Sequence, residues 1–181
     1  MQVEVTIESI RVSLISQARV VILKDIDSDR YLSIWIGQFE AEAIMVVLQE
    51  MEVARPLTHD LLKNTIVTLG GHVERVVISD LREDVFYARI LVEVRGQHLE
   101  IDSRPSDALA LAVRVRTPIY VEAAVMDKAA VEPEAEIEAE AAPPGAAPAS
   151  AADLGAFEDF VDSLDLDDLE GSEDPDSPPE Q

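Results

Sequence analysis

The chain has 181 residues, of which 48% are hydrophobic and none is cysteine; that is enough apolar content for one domain with a real core plus an appendage. Its net charge of −23 divides unevenly: residues 1–128 hold all 14 Lys and Arg against 20 Asp and Glu, a net of −6, whereas residues 129–181 hold 17 acids and no base, a net of −17. The composition excludes disulfides, thiolate nucleophiles and cysteine-ligated zinc, shows no basic excess of the kind that marks nucleic-acid binders, and contains no run near the ~18 apolar residues of a membrane span.

MQVEVTIESIRV, at the N-terminus, alternates Val3, Val5 and Ile7 with Glu4, Thr6 and Glu8, the period of a half-buried strand and unlike a secretion signal. A soluble, cytoplasmic protein with no membrane partner is expected. RVVILKD at 19–25 and RYLSIWI at 30–36 read as two strands joined by the polar turn Ile26-Asp27-Ser28-Asp29. After Gly37, the positions of Phe39, Ile44, Val47, Leu48 and Met51 predict a helix, with Glu40 and Glu42 near its positive end and Trp35 expected in the core. A second helix is predicted over about 57–69, with Leu61, Leu62, Ile66 and Leu69 on its apolar face and Gly70-Gly71 as its stop.

HVERVVISDL, VFYARILVEV and QHLEID then read as an antiparallel meander, turning at Arg82-Glu83-Asp84 and Gly96. A third helix starts at Pro105, since proline suits the first helical position, and runs until Thr117-Pro118, and Ile119-Tyr120-Val121 offers a last strand. The fold class expected is α+β: a compact single domain over 1–128 with an antiparallel or mixed β-sheet and three main helices. Residues 129–152, rich in Ala, Pro and Glu, read as a flexible linker. Residues 153–181 read as a disordered acidic tail with a short amphipathic helix from Leu154, Phe157, Val161 and Leu164, a candidate for docking a protein partner.

Two stretches share one chemistry: RPLTHDLL at 55–62 and DSRPSDALALA at 102–112 both place an Arg-Pro pair, then a hydroxyl residue, then an aspartate before apolar helix formers. Capping accounts for much of this, with Thr58 as N-cap, Asp60 in the first turn, and Ser106 and Asp107 as acceptors for free N–H groups. Capping does not require His59, Asp102 or Arg104. An arginine beside a helix N-terminus suits a phosphate; Asp60, Asp102, Asp107 and His59 are the oxygen and imidazole groups a divalent cation needs. No HExxH, DxDxDG, P-loop, GxGxxG or GxSxG pattern is present, which argues against a dinucleotide oxidoreductase and a serine hydrolase and calls for no organic cofactor.

IWIGQFEAEAI, RPLTHDLL, VFYARI and IDSRPSDALALAVR, in this order and at these separations, resemble the bifunctional nuclease domain family over roughly residues 1–130. Ser103 departs from the small apolar residue expected there. The resemblance implies hydrolysis of DNA and RNA by a compact α+β domain that self-associates, hence a homo-oligomer with nucleic acid as substrate. Carried over by position, the polar residues are Glu40 and Glu42, then Arg55, Thr58, His59 and Asp60, then Asp102, Arg104, Ser106 and Asp107. The expected roles are His59, Asp60, Asp102 and Asp107 in catalysis; Asp60, Asp102 and Asp107 around Mg²⁺ or Mn²⁺; Arg55, Arg104 and Ser106 on substrate; and Glu40 and Glu42 as site walls. The rival expectation is a non-catalytic oligomeric module whose polar motifs are helix caps, which the net acidity of the domain favours. Convergence of the second and third motifs in one cleft distinguishes the two.

Overall fold

A computed structural model describes residues 1–13 and 18–132. Its elements, in chain order, are β1 (Gln2–Val12), β2 (Arg19–Asp25), β3 (Tyr31–Ile36), α1 (Gln38–Leu48), α2 (Thr58–Thr68), β4 (Gly71–Arg82), β5 (Val85–Val94), β6 (Gln97–Ser103), α3 (Pro105–Val115), β7 (Ile119–Glu122), α4 (Ala123–Ala129) and β8 (Ala130–Val131). The strands form one mixed sheet in the order β6-β5-β4-β7-β1-β2-β3-β8. Every neighbouring pair is antiparallel except β4 and β7, which run parallel. The α+β expectation holds.

Local chemistry sets the turns. Asp25 is 2% exposed yet closes the β2–β3 turn, accepting from the Asp27 N–H at 2.9 Å, the Ser28 hydroxyl at 2.6 Å and Arg30 Nη2 at 3.1 Å. The β4–β5 and β5–β6 hairpins turn on two residues each, Glu83-Asp84 and Arg95-Gly96, all with positive φ, the backbone of the primed turn that matches strand twist. Gly71 is required at the start of β4: a Cβ there would stand 2.9 Å from the Val94 side chain and 3.3 Å from the Glu93 carbonyl.

Helix α3 lies at the centre, packed on β4 and β5 on one side and on α1 and α2 on the other. Ala108, Leu109, Ala110 and Leu111 are all fully buried, because alternating small and large side chains let the helix approach the sheet while filling the remaining space. Truncating Leu109 to alanine removes buried contacts worth about 2–5 kcal/mol.

Several expectations are corrected. Trp35 is 67% exposed, because β3 buries Leu32 and Ile34 and the strand period turns residue 35 to the other face. Helix α1 buries Ala41 and Ile44, leaving Phe39 80% exposed and Leu48 and Met51 also outside. On α2 the inward stripe is His59, Lys63 and Ile66, not the leucines: His59 is the buried residue, while Leu61, Leu62 and Leu69 are exposed. A histidine and a lysine can face inward here because α3 offers them polar partners. Thr58 is the first helical residue, not the cap, since Leu57 is the N-cap. Ala129 ends a fourth helix and Ala130–Val131 pair with β3, so ordered structure continues past residue 128. The rest of the linker and the acidic tail lie outside the described residues. Among the described residues, no helix is long and apolar enough to cross a membrane.

Candidate active site

Four polar side chains from three sequence motifs meet at the N-terminal end of α3. Asp107, in its first turn, accepts from Arg104 Nε at 2.8 Å and Nη2 at 3.3 Å, and its Oδ1 lies 3.1 Å from His59 Nε2. Arg104 Nη2 also donates to Glu40 Oε1 at 2.9 Å. The chain Glu40–Arg104–Asp107–His59 therefore joins α1, the α3 N-cap and α2. Gly37 makes the first link feasible: the Glu40 carboxylate folds back over it, filling the space a Cβ would take.

These four residues line a cleft of about 760 Å³ whose walls include Phe39, Glu42, Val53 and Leu57. Burial opposes ionisation of Asp107, but the Arg104 guanidinium and the His59 ring outweigh it and hold the carboxyl below the usual aspartate range. The bonds to Asp107 and Glu40 push the Arg104 guanidinium higher still. Asp107 thus holds both a guanidinium and an imidazole in place, engaging His59 through Nε2. Both Asp107 oxygens are engaged by Arg104 and His59.

Residues 21–134 match the model of the bifunctional nuclease domain. The chain belongs to the bifunctional nuclease domain family. An uncharacterized protein of Mycobacterium tuberculosis (strain H37Rv) is 39% identical over 171 residues, spanning 93% of this chain and 99% of its own length. The plant relatives match a smaller part. Bifunctional nuclease 2 of Oryza sativa subsp. japonica is 29% identical across 58% of this chain and 33% of its own, and Bifunctional nuclease 1 of Arabidopsis thaliana is 27% identical across 50% and 29%.

Not all the polar residues of this bifunctional nuclease domain converge. Asp60, although adjacent to His59, does not line the cleft. Its Oδ1 accepts from Arg114 Nε at 2.7 Å and its Oδ2 from the Leu57 N–H at 2.8 Å. Burial works against the Asp60 carboxylate, yet the Leu57 N–H and Arg114 keep its pKa below the ordinary value. Arg114 is 3% exposed at its side chain and also donates to the Ala110 carbonyl at 2.7 Å. The two pairs, His59–Asp107 and Asp60–Arg114, both clamp α2 onto α3, the first facing the cleft and the second set on the buried Arg114 side chain. Arg114 does not stand out in the sequence; its spacing of seven from Asp107, which puts both on one face of a helix, is the available signal.

Asp102 and Arg104 share a second, smaller cavity of about 450 Å³ with Phe86, Tyr87, Ser103 and Asp107. Ser106 is buried beside Arg104 and Trp35 in a third. Arg55 and Thr58 are exposed, with Thr58 on the cleft rim. Of the carboxylates expected around a cation, Asp60 is committed to Arg114 and both Asp107 oxygens to Arg104 and His59, while Asp102 lines the smaller cavity with Asp107. Among the described residues, no three His, Asp or Glu side chains are grouped to hold a metal ion. Asp60 and Asp107, so engaged, do not fit the cation role expected of them.

Proposed function

We propose that this domain hydrolyses phosphodiester bonds of DNA or RNA in the cleft between α1, α2 and the start of α3. The observation that carries the reading is convergence: Glu40, His59, Arg104 and Asp107, separated by as many as 67 residues, form one hydrogen-bonded chain along one cleft wall. Separate helix caps have no reason to meet. Family membership and the names of the plant relatives point to the same chemistry.

In this reading a phosphodiester enters beside Arg104, the group with the forked donors suited to it, and displaces Glu40 from one of its nitrogens. Water attacks phosphorus, its proton passing to His59 Nδ1. The imidazolium that forms is stabilised by Asp107 on Nε2, and the proton is returned to the leaving oxygen. Phe39, exposed on the cleft wall, offers a face for a base to stack on, which favours single-stranded substrate. Mg²⁺ can be held by as few as one or two carboxylates, with water and phosphate completing its shell, and Glu42 stands exposed on the same wall.

The test is cleavage of single-stranded DNA and RNA by rigorously purified protein, in Mg²⁺, Mn²⁺ and EDTA, beside His59→Gln. A folded His59→Gln protein is expected to lose about a hundredfold or more in turnover, as proton-transfer groups usually contribute; equal turnover in both proteins sinks the reading.

A second reading has its own observation. Phe39, Leu48, Met51, Val53, Leu61 and Leu69 are all exposed on α1, α2 and the connections that follow them, a surface that suits association with another copy and a module whose business is assembly. The two readings are compatible, since an oligomeric nuclease needs both.

A further inference from the structure

We propose that the cavity between β3, the β4–β5 turn and the start of α3 is a nucleotide subsite, in which a base next to the cut phosphate stacks on Trp35 while the strand passes over Arg104 from the Phe39 cleft. The position of that phosphate at Arg104 rests on the nuclease reading; the occupant of the cavity is read from the cavity itself.

The cavity holds about 280 Å³ and shares Arg104 with the larger cleft. Two helices begin at it. Gly37 is the N-cap of α1, and Arg104, Pro105 and Ser106 are the N-cap and first two residues of α3. No side chain caps either start, and the positive ends of both helices favour an anion. The carboxylate that lies over Gly37 is Glu40, the group a phosphate displaces from Arg104. Ser106 is the observation that points to a ligand beyond two helix ends. It is 6% exposed and lines the cavity, and among the described residues no group takes up its hydroxyl. A hydroxyl so buried is costly unless hydrogen-bonded, and one that borders a cavity is satisfied by what enters it.

The rest of the wall selects a nucleoside over a bare phosphate. Trp35 is turned away from the core by the strand period, and it lines the cavity with Ile36, Val85 and Phe86. An indole beside apolar side chains suits a base, and because every base has a π-face the contact tolerates any sequence. Asp84 also lines the cavity; its carboxylate repels a phosphate but accepts from a base N–H or a sugar hydroxyl. Phe39 is exposed on the other cleft. Each of the two cavities that share Arg104 therefore has its own exposed aromatic, one on either side of Gly37 in the chain. That arrangement fits two successive nucleosides of one single strand, joined by a phosphate on Arg104. A duplex, whose bases are paired and stacked on each other, does not offer them.

Trp35 is the single tryptophan, so its fluorescence reports this cavity. The full chain, in EDTA, is titrated with single strands of about six deoxythymidines or six uridines and with thymidine monophosphate. The strands should quench the fluorescence to saturation, and the mononucleotide should bind about tenfold or more weakly, since it fills one of two linked positions. Trp35→Ala, a change at an exposed side chain, should weaken binding of a labelled strand about tenfold, the loss of one base stack, and Trp35→Phe should restore most of it. Ser106→Ala, which keeps the packing and removes the hydroxyl, should weaken it severalfold. Wild-type affinity in either alanine variant, no rescue by Trp35→Phe, an unquenched tryptophan in the bound complex, no binding at all, or a mononucleotide held as tightly as the strand each overturns the proposal. Quenching by a strand that the protein never cuts removes the nuclease reading and keeps the subsite, whereas cleavage by Trp35→Ala at the wild-type KM removes the subsite and keeps the nuclease reading.

Discussion

Asp107→Asn and Asp60→Asn remove the same charge from two carboxylates of one α2–α3 clamp, and the structure predicts opposite consequences. Asp60 faces Arg114, whose side chain is 3% exposed and which has one nitrogen, Nη2, buried without a partner among the described residues. Neutralising Asp60 leaves that guanidinium without its counter-ion, and breaking a buried pair from one side costs about 3–5 kcal/mol. Asp107 faces Arg104, which is 67% exposed, and is itself 30% exposed. Solvent replaces much of what is lost there, so about 1 kcal/mol or less is expected. Turnover should divide the other way. In Asp107→Asn the neutral amide cannot stabilise a charged His59, and a hundredfold loss corresponds to about 2.7 kcal/mol in the barrier, more than the stability change. Thermal melts beside turnover per folded molecule, measured on both variants, make the comparison. If Asp107→Asn keeps wild-type turnover while it melts several degrees lower, the His59–Asp107 pair is only a clamp.

Phe39→Ala should raise the KM for single-stranded substrate with little change in kcat, because a stacking contact of about 1–3 kcal/mol is lost; steady-state kinetics read the split. Asp25, Asp60 and Asp107 all have native pKa values held below the ordinary aspartate value. The stability they contribute should be fully present above about pH 4, then disappear as pH falls through the lower native values; denaturant titrations from neutral pH into the acid range check this, and a midpoint that already falls well above the ordinary aspartate pKa contradicts it. A chain ending at Glu132 should melt cooperatively near the wild-type temperature, whereas one ending at Lys128 loses β8 and the end of α4 and should melt lower. The single tryptophan is exposed, so acrylamide should quench its fluorescence in the folded protein almost as well as in denaturant.

Much of the architecture is legible in local periodicity. Val3, Val5 and Ile7 announce a strand, the three runs from His72 to Asp102 announce a meander, and Pro105 marks the start of α3, because each depends on neighbours a few residues away. What failed depended on the far side of the chain. Leu61, Leu62 and Leu69 look like the buried stripe of α2, but the inward positions go to His59 and Lys63, whose partners Asp107 and the Arg114 carbonyl lie 48 and 51 residues further on. Thr58 has the chemistry of a cap and sits one residue too late. Trp35 is large and aromatic, yet Leu32 and Ile34 decide which face of β3 is inside. Nothing local tells that β7 inserts between β4 and β1, parallel to β4.

The site was legible as an inventory and not as a geometry. The second and third motifs contain His59, Arg104 and Asp107, which meet, and equally Asp60 and Arg55, which go elsewhere, while Asp102 shares only the smaller cavity with Arg104 and Asp107. Adjacent residues on a helix point about 100° apart, so His59 meets Asp107 in the first turn of α3 while its neighbour Asp60 meets the Arg114 guanidinium, which also bonds the Ala110 carbonyl. Helix geometry likewise separates two of the aspartates expected around a cation, sending Asp60 to Arg114 and Asp107 to Arg104.

The most direct test of the central claim is turnover of purified wild-type protein on single-stranded RNA and DNA beside His59→Gln of equal folded fraction. Cleavage that co-purifies with the protein through successive columns and falls about a hundredfold or more in the variant is the predicted result. Cleavage unchanged by the substitution, or none from the wild type in Mg²⁺, Mn²⁺ or EDTA, contradicts the account.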